Sequence, residues 1–279
     1  MKVTVAKSAG FCFGVKRAIK IALDTVAMGR QVEMLGDIVH NEDVVRQIEA
    51  SGIKKVSRLT KKKDTILLIR AHGAKKNMAK KAQSFGYTIV DATCPMVKEI
   101  HMIAEERQKE GYRIIIIGDK DHEEVEGIKG QVLSPALVID SIDHIPLDRI
   151  KKIDRAAIVV QSTQNLDNVL KIVELLKPQI KDLKFYNTIC KATTTRQDEI
   201  KILPLENDTV LVIGSKTSAN TKRLYEIARS LNKRSYWIQT KDDIEREWFQ
   251  GVATVGITAG ASTPEATIKS VVAYVEALS

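Results

Sequence analysis

A cysteine stands three times at the same place in a recurring pattern of strand, polar loop and helix, and this repeat constrains the fold more than any other feature of the chain. It occurs in Val3-Thr-Val-Ala-Lys-Ser-Ala-Gly-Phe-Cys12, Tyr87-Thr-Ile-Val-Asp-Ala-Thr-Cys94 and Leu183-Lys-Phe-Tyr-Asn-Thr-Ile-Cys190. Every cysteine of the 279 residues is used. After each comes a stretch with apolar residues at three- and four-residue spacing, such as Ile100, Ile103 and Ala104, which predicts helices starting near Val15, Met96 and Thr194. Short β-branched runs alternating with amphipathic helices are the pattern of parallel α/β structure, because a parallel strand pair needs a crossover and a helix is the usual one.

Between successive cysteine units lie two further strand-loop units, and their loops carry polar residues suited to chemistry. The first interval has Val32-Glu-Met-Leu-Gly-Asp-Ile-Val-His40-Asn41 and Thr65-Ile-Leu-Leu-Ile-Arg-Ala-His72-Gly73. In the second are Arg113-Ile-Ile-Ile-Ile-Gly-Asp-Lys-Asp-His122-Glu-Glu124 and Ala157-Ile-Val-Val-Gln-Ser162-Thr163, and in the third Thr209-Val-Leu-Val-Ile-Gly-Ser215-Lys-Thr-Ser218-Ala-Asn220 and Thr254-Val-Gly-Ile-Thr-Ala-Gly-Ala-Ser262-Thr263. The order is the same three times, which predicts three similar α/β modules where length alone suggests about two domains of ordinary size. Loops at the carboxyl ends of parallel strands share an edge, and ligands bind there. Three modules that turn those edges inward bring three cysteines and six polar loops to one place.

Composition narrows the class. Hydrophobic residues make up 44% and charged residues 28%, as in a globular protein without low-complexity tracts. The longest aliphatic runs, Ile114 to Ile117 and Val210 to Ile213, are far shorter than the roughly 20 apolar residues of a membrane span. Met1 to Ala9 read as a short strand and lack a secretory pattern, so the cytoplasm is the expected compartment. A net charge of +9 attracts anions. The basic runs near Lys61, Lys75 and Lys80 have only Phe85 and Tyr87 nearby for stacking on bases, so they read as solvated surface and nucleic acid is not the expected partner.

Three cysteines in a reducing compartment do not form a disulfide framework. Thiolates are soft donors that suit zinc or an iron-sulfur cluster. A structural zinc site closes four ligands, often in closely spaced pairs, and no Cys-x-x-Cys pair is present. A cubane cluster usually takes four cysteines, so three leave one iron open to a substrate oxygen. His40, His72, His122, Thr163, Ser218, Asn220 and Ser262 lie in loops just before helices, where anions are favoured.

Each loop also has a purely structural reading. Ser262-Thr263 before Pro264-Glu265 resembles a capping box, Asn41 is a good cap, and Ser218, Asn220 and Thr163 taken alone read as caps too. Histidine is a poor cap, so His40, His72 and His122 point more strongly to ligand binding. Glu124 reads either as part of the solvent-facing acidic run Glu123, Glu124 and Glu126, or as a proton donor whose pKa is raised by desolvation and like charge.

Taken in order, Gly10-Phe-Cys-Phe-Gly-Val15, His40-Asn41, Arg70-Ala-His-Gly73, Asp91-Ala-Thr-Cys-Pro95, His122 with Glu124-Val-Glu-Gly127, Thr188-Ile-Cys190 leading to Arg196-Gln197, Ser218 with Asn220, and Thr258-Ala-Gly-Ala-Ser262 resemble the 4-hydroxy-3-methylbut-2-enyl diphosphate reductase family (IspH or LytB) over nearly the whole chain. The resemblance implies three parallel-sheet α/β modules with pseudo-threefold symmetry around one central [4Fe-4S] cluster per chain, ligated by Cys12, Cys94 and Cys190. The modules would span 13–93, 94–189 and 190–279, with the N-terminal strand, 1–12, joining the third. The substrate hydroxyl would meet the open iron, and the diphosphate would lie among His40, His72, His122, Ser218, Asn220 and Ser262. Glu124 would deliver protons, helped by the hydroxyls of Ser162 and Thr163, with His122 beside it. Reduction would give isopentenyl and dimethylallyl diphosphates, with electrons from an acidic ferredoxin or flavodoxin.

Two positions depart from the family pattern. Ser162-Thr163 stands where a Thr-Thr pair is common, which keeps the hydroxyl and removes a methyl. Ser218-Ala219-Asn220 stands where Ser-Ser-Asn is frequent, which leaves Ala219 only its backbone N–H. Two rival readings of the same residues are a non-redox dehydratase built on the open cluster, and a non-catalytic zinc or cluster protein that binds nucleic acid.

Overall fold

The computed structural model describes residues 1–278. Strands and helices alternate along it. The chain begins with β1 (Lys2–Val5), α1 (Phe13–Val26), β2 (Gln31–Leu35), α2 (Glu42–Ala50), β3 (Ile53–Val56), β4 (Thr65–Ile69), α3 (Lys76–Ser84) and β5 (Tyr87–Asp91). It continues through α4 (Pro95–Lys109), β6 (Arg113–Ile117), α5 (Glu123–Lys129), β7 (Leu137–Ile139), α6 (Leu147–Ile150), β8 (Arg155–Val160), α7 (Leu166–Leu176) and β9 (Asp182–Phe185). The last part comprises α8 (Lys191–Ile202), β10 (Thr209–Ile213), α9 (Ala219–Leu231), β11 (Ser235–Ile238), β12 (Thr254–Ala259) and α10 (Glu265–Ala277).

The chain divides into two compact units. One comprises Met1–Lys16, His40–Val45 and the chain from Lys191 onward, and the other Arg17–Val39 and Arg46–Cys190. The first holds one sheet, ordered β1-β12-β10-β11; the second holds two, ordered β3-β2-β4-β5 and β7-β6-β8-β9. All pairings are parallel, as expected for the α/β class.

Counted from the cysteine side, the three sheets share one order. The strand before a cysteine forms one edge, followed by the strand before the second polar loop, the strand before the first, and a short strand at the far edge. The far strands, β3, β7 and β11, are absent from the sequence-based pattern: they are short, no motif loop follows them, and Ile53–Val56 carries two lysines. β1 pairs with β12 in the register Val3↔Val255, so the first strand closes the sheet built by the last third of the chain.

The runs of β4, β6, β8 and β10 are almost continuously hydrophobic and buried, as in parallel sheets covered on both faces. In the sheet of β6 and β8, Ile115, Ile117, Ile158 and Val160 pack with Val169, Ile172 and Leu176 of α7. The alternate residues Ile114, Ile116, Ala157 and Val159 face the other way, onto Ile100 and Ala104 of α4 and Val125 and Ile128 of α5. The sheet of β10 and β12 divides likewise. Leu211, Ile213 and Ile257 meet α10, while Val210 and Val212 meet Ile200 of α8 and Leu224 of α9.

Ile158 is fully buried and lies opposite Ile115 in the ladder. Ile158→Ala is therefore expected to cost about 2 to 5 kcal/mol, read as a lower midpoint in urea unfolding; an unchanged midpoint would show that this layer does not hold the unit together. Among the described residues no helix is long and apolar enough to cross a membrane.

Candidate active site

The three cysteines occupy equivalent positions, and one main-chain hydrogen bond defines the equivalence. Each cysteine N–H donates to the carbonyl of the loop after the adjacent strand: Cys94 to Ala71 at 2.9 Å, Cys190 to Ser162 at 3.1 Å, and Cys12 to Ala261 at 3.1 Å. The residues after those carbonyls are His72, Thr163 and Ser262. The helices start directly after the cysteines, at Phe13, Pro95 and Lys191, one to three residues earlier than apolar spacing predicts. Cys94 stands at the N-cap of α4, with Pro95 in the first turn where its missing N–H costs nothing. All three thiols are half-buried and outside any disulfide.

A second equivalence concerns the first loops. Asn41, His122 and Ser218 each precede a helix, and each accepts a helical N–H on its main-chain oxygen, from Val45, Glu126 and Lys222. Their side chains also cap, through Asn41 Oδ1 to Val44 N–H, His122 Nδ1 to Glu124 N–H, and Ser218 Oγ to Thr221 N–H. The expectation that a histidine there is not a cap is corrected by His122. Its Nδ1 accepts at 3.1 Å, which places the ring proton on Nε2.

In the unit of Arg17–Val39 and Arg46–Cys190, Glu124 is at the second position of α5 and is 1% exposed, so it is not part of a solvent-facing acidic face. Ser162 donates to it twice, from N–H at 2.6 Å and from Oγ at 2.8 Å. Burial pushes the carboxyl up to about 7, assisted by the charge of Asp119 and opposed by the two Ser162 bonds. A carboxyl balanced near neutrality is able both to give and to take a proton. Of the Ser162-Thr163 pair, Ser162 touches the carboxylate, while Thr163 Oγ1 accepts from Gln161 Nε2 at 2.9 Å. Thr163 is not a helix cap, since Asn165 caps α7.

His72 lies edge-on to His122, with ring centroids 5.7 Å apart. Beside them Arg70 forms an ion pair with Glu123. The loop is held from behind by His101 of α4, whose ring fills the space where a Cβ at Gly73 would come within 2.7 Å and one at Gly127 within 3.3 Å. Desolvation pushes His101 down to about 4, so it is a neutral spacer at ordinary pH. His101 and Gln161 are neighbours of the site that sequence reasoning missed. Only their placement, one helical face after Cys94 and one residue before Ser162, hinted at them.

In the other unit, Ser262 and Thr263 do not form the expected capping box. Pro264 holds the N-cap position of α10 without a side-chain bond. Ser262 Oγ instead donates to the carbonyl of His40 at 2.7 Å, and Thr263 Oγ1 donates to the carbonyl of Ile213 at 3.1 Å. Asn220 is not a cap either. It lies at the second position of α9, as Glu124 does in α5, is 4% exposed, and its Nδ2 has no hydrogen-bond partner among the described residues. A buried amide donor left unmade is costly unless a ligand completes it. Near Cys12, the Val15 N–H points at Sγ from 3.5 Å.

A family model described as LytB protein matches residues 3–276. The chain is 38% identical over 276 residues, 99% of its length, to a 4-hydroxy-3-methylbut-2-enyl diphosphate reductase of Geotalea uraniireducens, covering 97% of that protein. It is 39% identical to the enzyme of the same name from Clostridioides difficile, with both chains fully covered. A solved structure of (E)-4-hydroxy-3-methyl-but-2-enyl diphosphate reductase, described as the terminal enzyme of the non-mevalonate pathway, superposes with a TM-score of 0.73 at 36% identity, covering 99% of this chain and 100% of that one. The Plasmodium falciparum E-1-hydroxy-2-methyl-but-2-enyl-4-diphosphate reductase superposes with a TM-score of 0.88 at 27% identity, covering 98% of this chain and 87% of that one.

Proposed function

The chain belongs to the LytB protein family, and on that premise we propose that it reduces 4-hydroxy-3-methylbut-2-enyl diphosphate to isopentenyl and dimethylallyl diphosphates, an isoprenoid-forming step that removes the hydroxyl as water. The cofactor is an iron-sulfur centre, taken here as one [4Fe-4S] cluster held by Cys12, Cys94 and Cys190 and shared by modules 13–93, 94–189 and 190–279 with 1–12. What carries this reading is the single main-chain bond that repeats at the three cysteines and puts His72, Thr163 and Ser262 next to the anchoring carbonyls. The donor set fits the group. Three soft thiols with fixed main-chain N–H groups suit a cluster that keeps one iron without a protein ligand. A cytoplasmic compartment suits thiols that stay reduced.

When bound, the cluster supplies electrons and a Lewis-acidic iron. The protein's own residues bind and protonate. His40, His72, His122, Ser218, Asn220 and Ser262 hold the diphosphate. Within that set His122 offers Nε2–H because its Nδ1 is engaged by Glu124 N–H, and Asn220 offers an Nδ2 with no other partner. Glu124 holds the proton that leaves with the hydroxyl oxygen, and Ser162 keeps the carboxyl aimed. Thr163 and His122 flank the proton path. Electrons come from a small acidic carrier, a ferredoxin or flavodoxin, which a chain of net charge +9 attracts.

Asn220→Ala is expected to raise KM about tenfold or more while leaving the melting temperature nearly unchanged, because Nδ2 loses a ligand bond and no protein bond. Equal KM values for variant and parent would remove Asn220 from the diphosphate site. The decisive assay of the activity is anaerobic reconstitution with iron and sulfide, followed by product analysis with a strong one-electron reductant. Consumption of the substrate without any electron donor would overturn the reductase reading in favour of simple dehydration.

A further inference from the structure

The loop that carries Cys12 is fastened at three points by residues far away in sequence. Cys12 itself is tied to Ala261. Two residues earlier, the Gly10 carbonyl accepts from Arg196 Nη2 at 2.6 Å, and the same guanidinium gives Nη1 to the carbonyl of Ala192 at 2.8 Å. Two residues earlier again, Ser8 donates both its N–H, at 3.0 Å, and its hydroxyl to Glu199 Oε2. Arg196 and Glu199 are one turn apart on α8, the helix that follows Cys190 in the chain, so a single helix face grips the loop twice.

The chemistry of this grip is unusual for a packing contact. Arg196 is 4% exposed, and burying a guanidinium is expensive unless its donors are matched in direction. Its planar fork supplies two diverging N–H groups to two carbonyls, which the point charge of a lysine does less well. The loop cannot adjust easily either. Gly10 has φ +96°, a conformation that disfavours other residues, and a Cβ there would meet Ile268 Cδ1 at 3.1 Å. The result is a peptide whose carbonyl direction, and with it the path to the Cys12 thiol, is set by Arg196.

We infer that Arg196, seconded by Glu199, is a positioning residue for the Cys12 thiolate, holding the Ser8–Cys12 loop in the geometry needed to retain the cluster. The inference rests on Cys12 being a cluster ligand, and it assigns to α8 the work of setting that ligand. Arg196 does not touch substrate or cofactor in this role. Its loss changes how long iron is held, beyond any change in how stably the chain is folded.

The test compares iron release in reconstituted proteins. Parent, Arg196→Met, Arg196→Lys and Glu199→Gln proteins are loaded anaerobically, iron and sulfide are counted, and the rate of iron transfer to a chelator is followed with no substrate present. A control for general destabilisation is Asn232→Ala, which removes an amide bonded to the carbonyls of Pro204, Asn207 and Asp208 in the same unit. Arg196→Met is expected to release iron about 10- to 100-fold faster, the range seen when outer-shell partners of a metal site are removed. Arg196→Lys should recover part of the loss, Glu199→Gln should show a smaller acceleration, and Asn232→Ala should lower the melting temperature without speeding release. Release from Arg196→Met at the parental rate, or equal acceleration in Asn232→Ala, would overturn the inference. A parent protein that takes up no cluster would instead overturn the functional reading on which it rests.

Discussion

Cys190→Ser protein is expected to fold like its parent, to bind less than a full complement of iron, and to lose at least about 100-fold of its turnover. The size follows from comparison with outer-shell changes, which by themselves commonly cost about 10- to 100-fold in metal affinity or activity, whereas this change removes a proposed direct ligand. A serine hydroxyl is a harder and far less acidic donor than a thiol, so it replaces the thiolate poorly toward iron in a sulfide cluster. Folding is spared because Cys190 is half-buried and its structural bond, N–H to the Ser162 carbonyl, is made by the main chain. Iron and sulfide analysis with the reductant-driven assay gives the result. Full turnover in Cys190→Ser would remove this residue from the ligand set.

Glu124→Gln is the second change with a large expected effect, and it acts on kcat. The amide keeps the shape of the carboxyl and can still accept from the Ser162 N–H, so binding of the diphosphate is expected to change little. It has no proton to donate, and positioned acids contribute about 100- to 10,000-fold. A loss in this range at unchanged KM is the expected outcome. Because burial raises the carboxyl from 4.5 to about 7, the parent's turnover should decline as pH rises past about 7, while the slow variant should be flat across that range. The stability effect has the same origin. The native state holds the Glu124 proton more tightly than the unfolded chain, so this group makes stability fall as pH rises from 4.5 to about 7, and Gln removes that slope. A variant that reduces substrate at the parental rate would show that the proton comes from elsewhere.

The parts of this account that were legible in the sequence are those written in local pattern. Ile114 to Ile117 and Val210 to Ile213 announce buried strands because both sheet faces are covered, and the cysteine repeat announces the order of the modules. The short edge strands were not legible, since three residues such as Leu137–Ile139 carry too little periodicity to separate from loop. Capping was read partly wrongly for a physical reason. Ser262 and Thr263 have the composition of a capping box, but their hydroxyls reach the carbonyls of His40 and of Ile213 at the end of β10, and such long-range acceptors leave no mark on neighbouring residues. Histidine is a poor cap by type, yet His122 Nδ1 accepts a first-turn N–H as the Ser218 hydroxyl does in α9.

The repeat marks the loops that carry the candidate site residues, while the contacts among those residues leave no mark in the sequence. That Ser162 rather than Thr163 meets Glu124, 38 positions away, depends on how β8 lies beside β6. Arg196 and Gly10, 186 residues apart, meet only because β1 joins the sheet whose flanking helix is α8.

Three thiols from three parts of the chain are proposed to serve one iron-sulfur cluster. Mössbauer spectroscopy of anaerobically reconstituted, iron-57-enriched protein, taken with and without 4-hydroxy-3-methylbut-2-enyl diphosphate, tests it most directly. The expected spectrum shows one four-iron cluster per chain in which a single iron site differs from the other three and changes when substrate is added. Four equivalent irons unmoved by substrate, or no cluster at all in a folded protein, would contradict it.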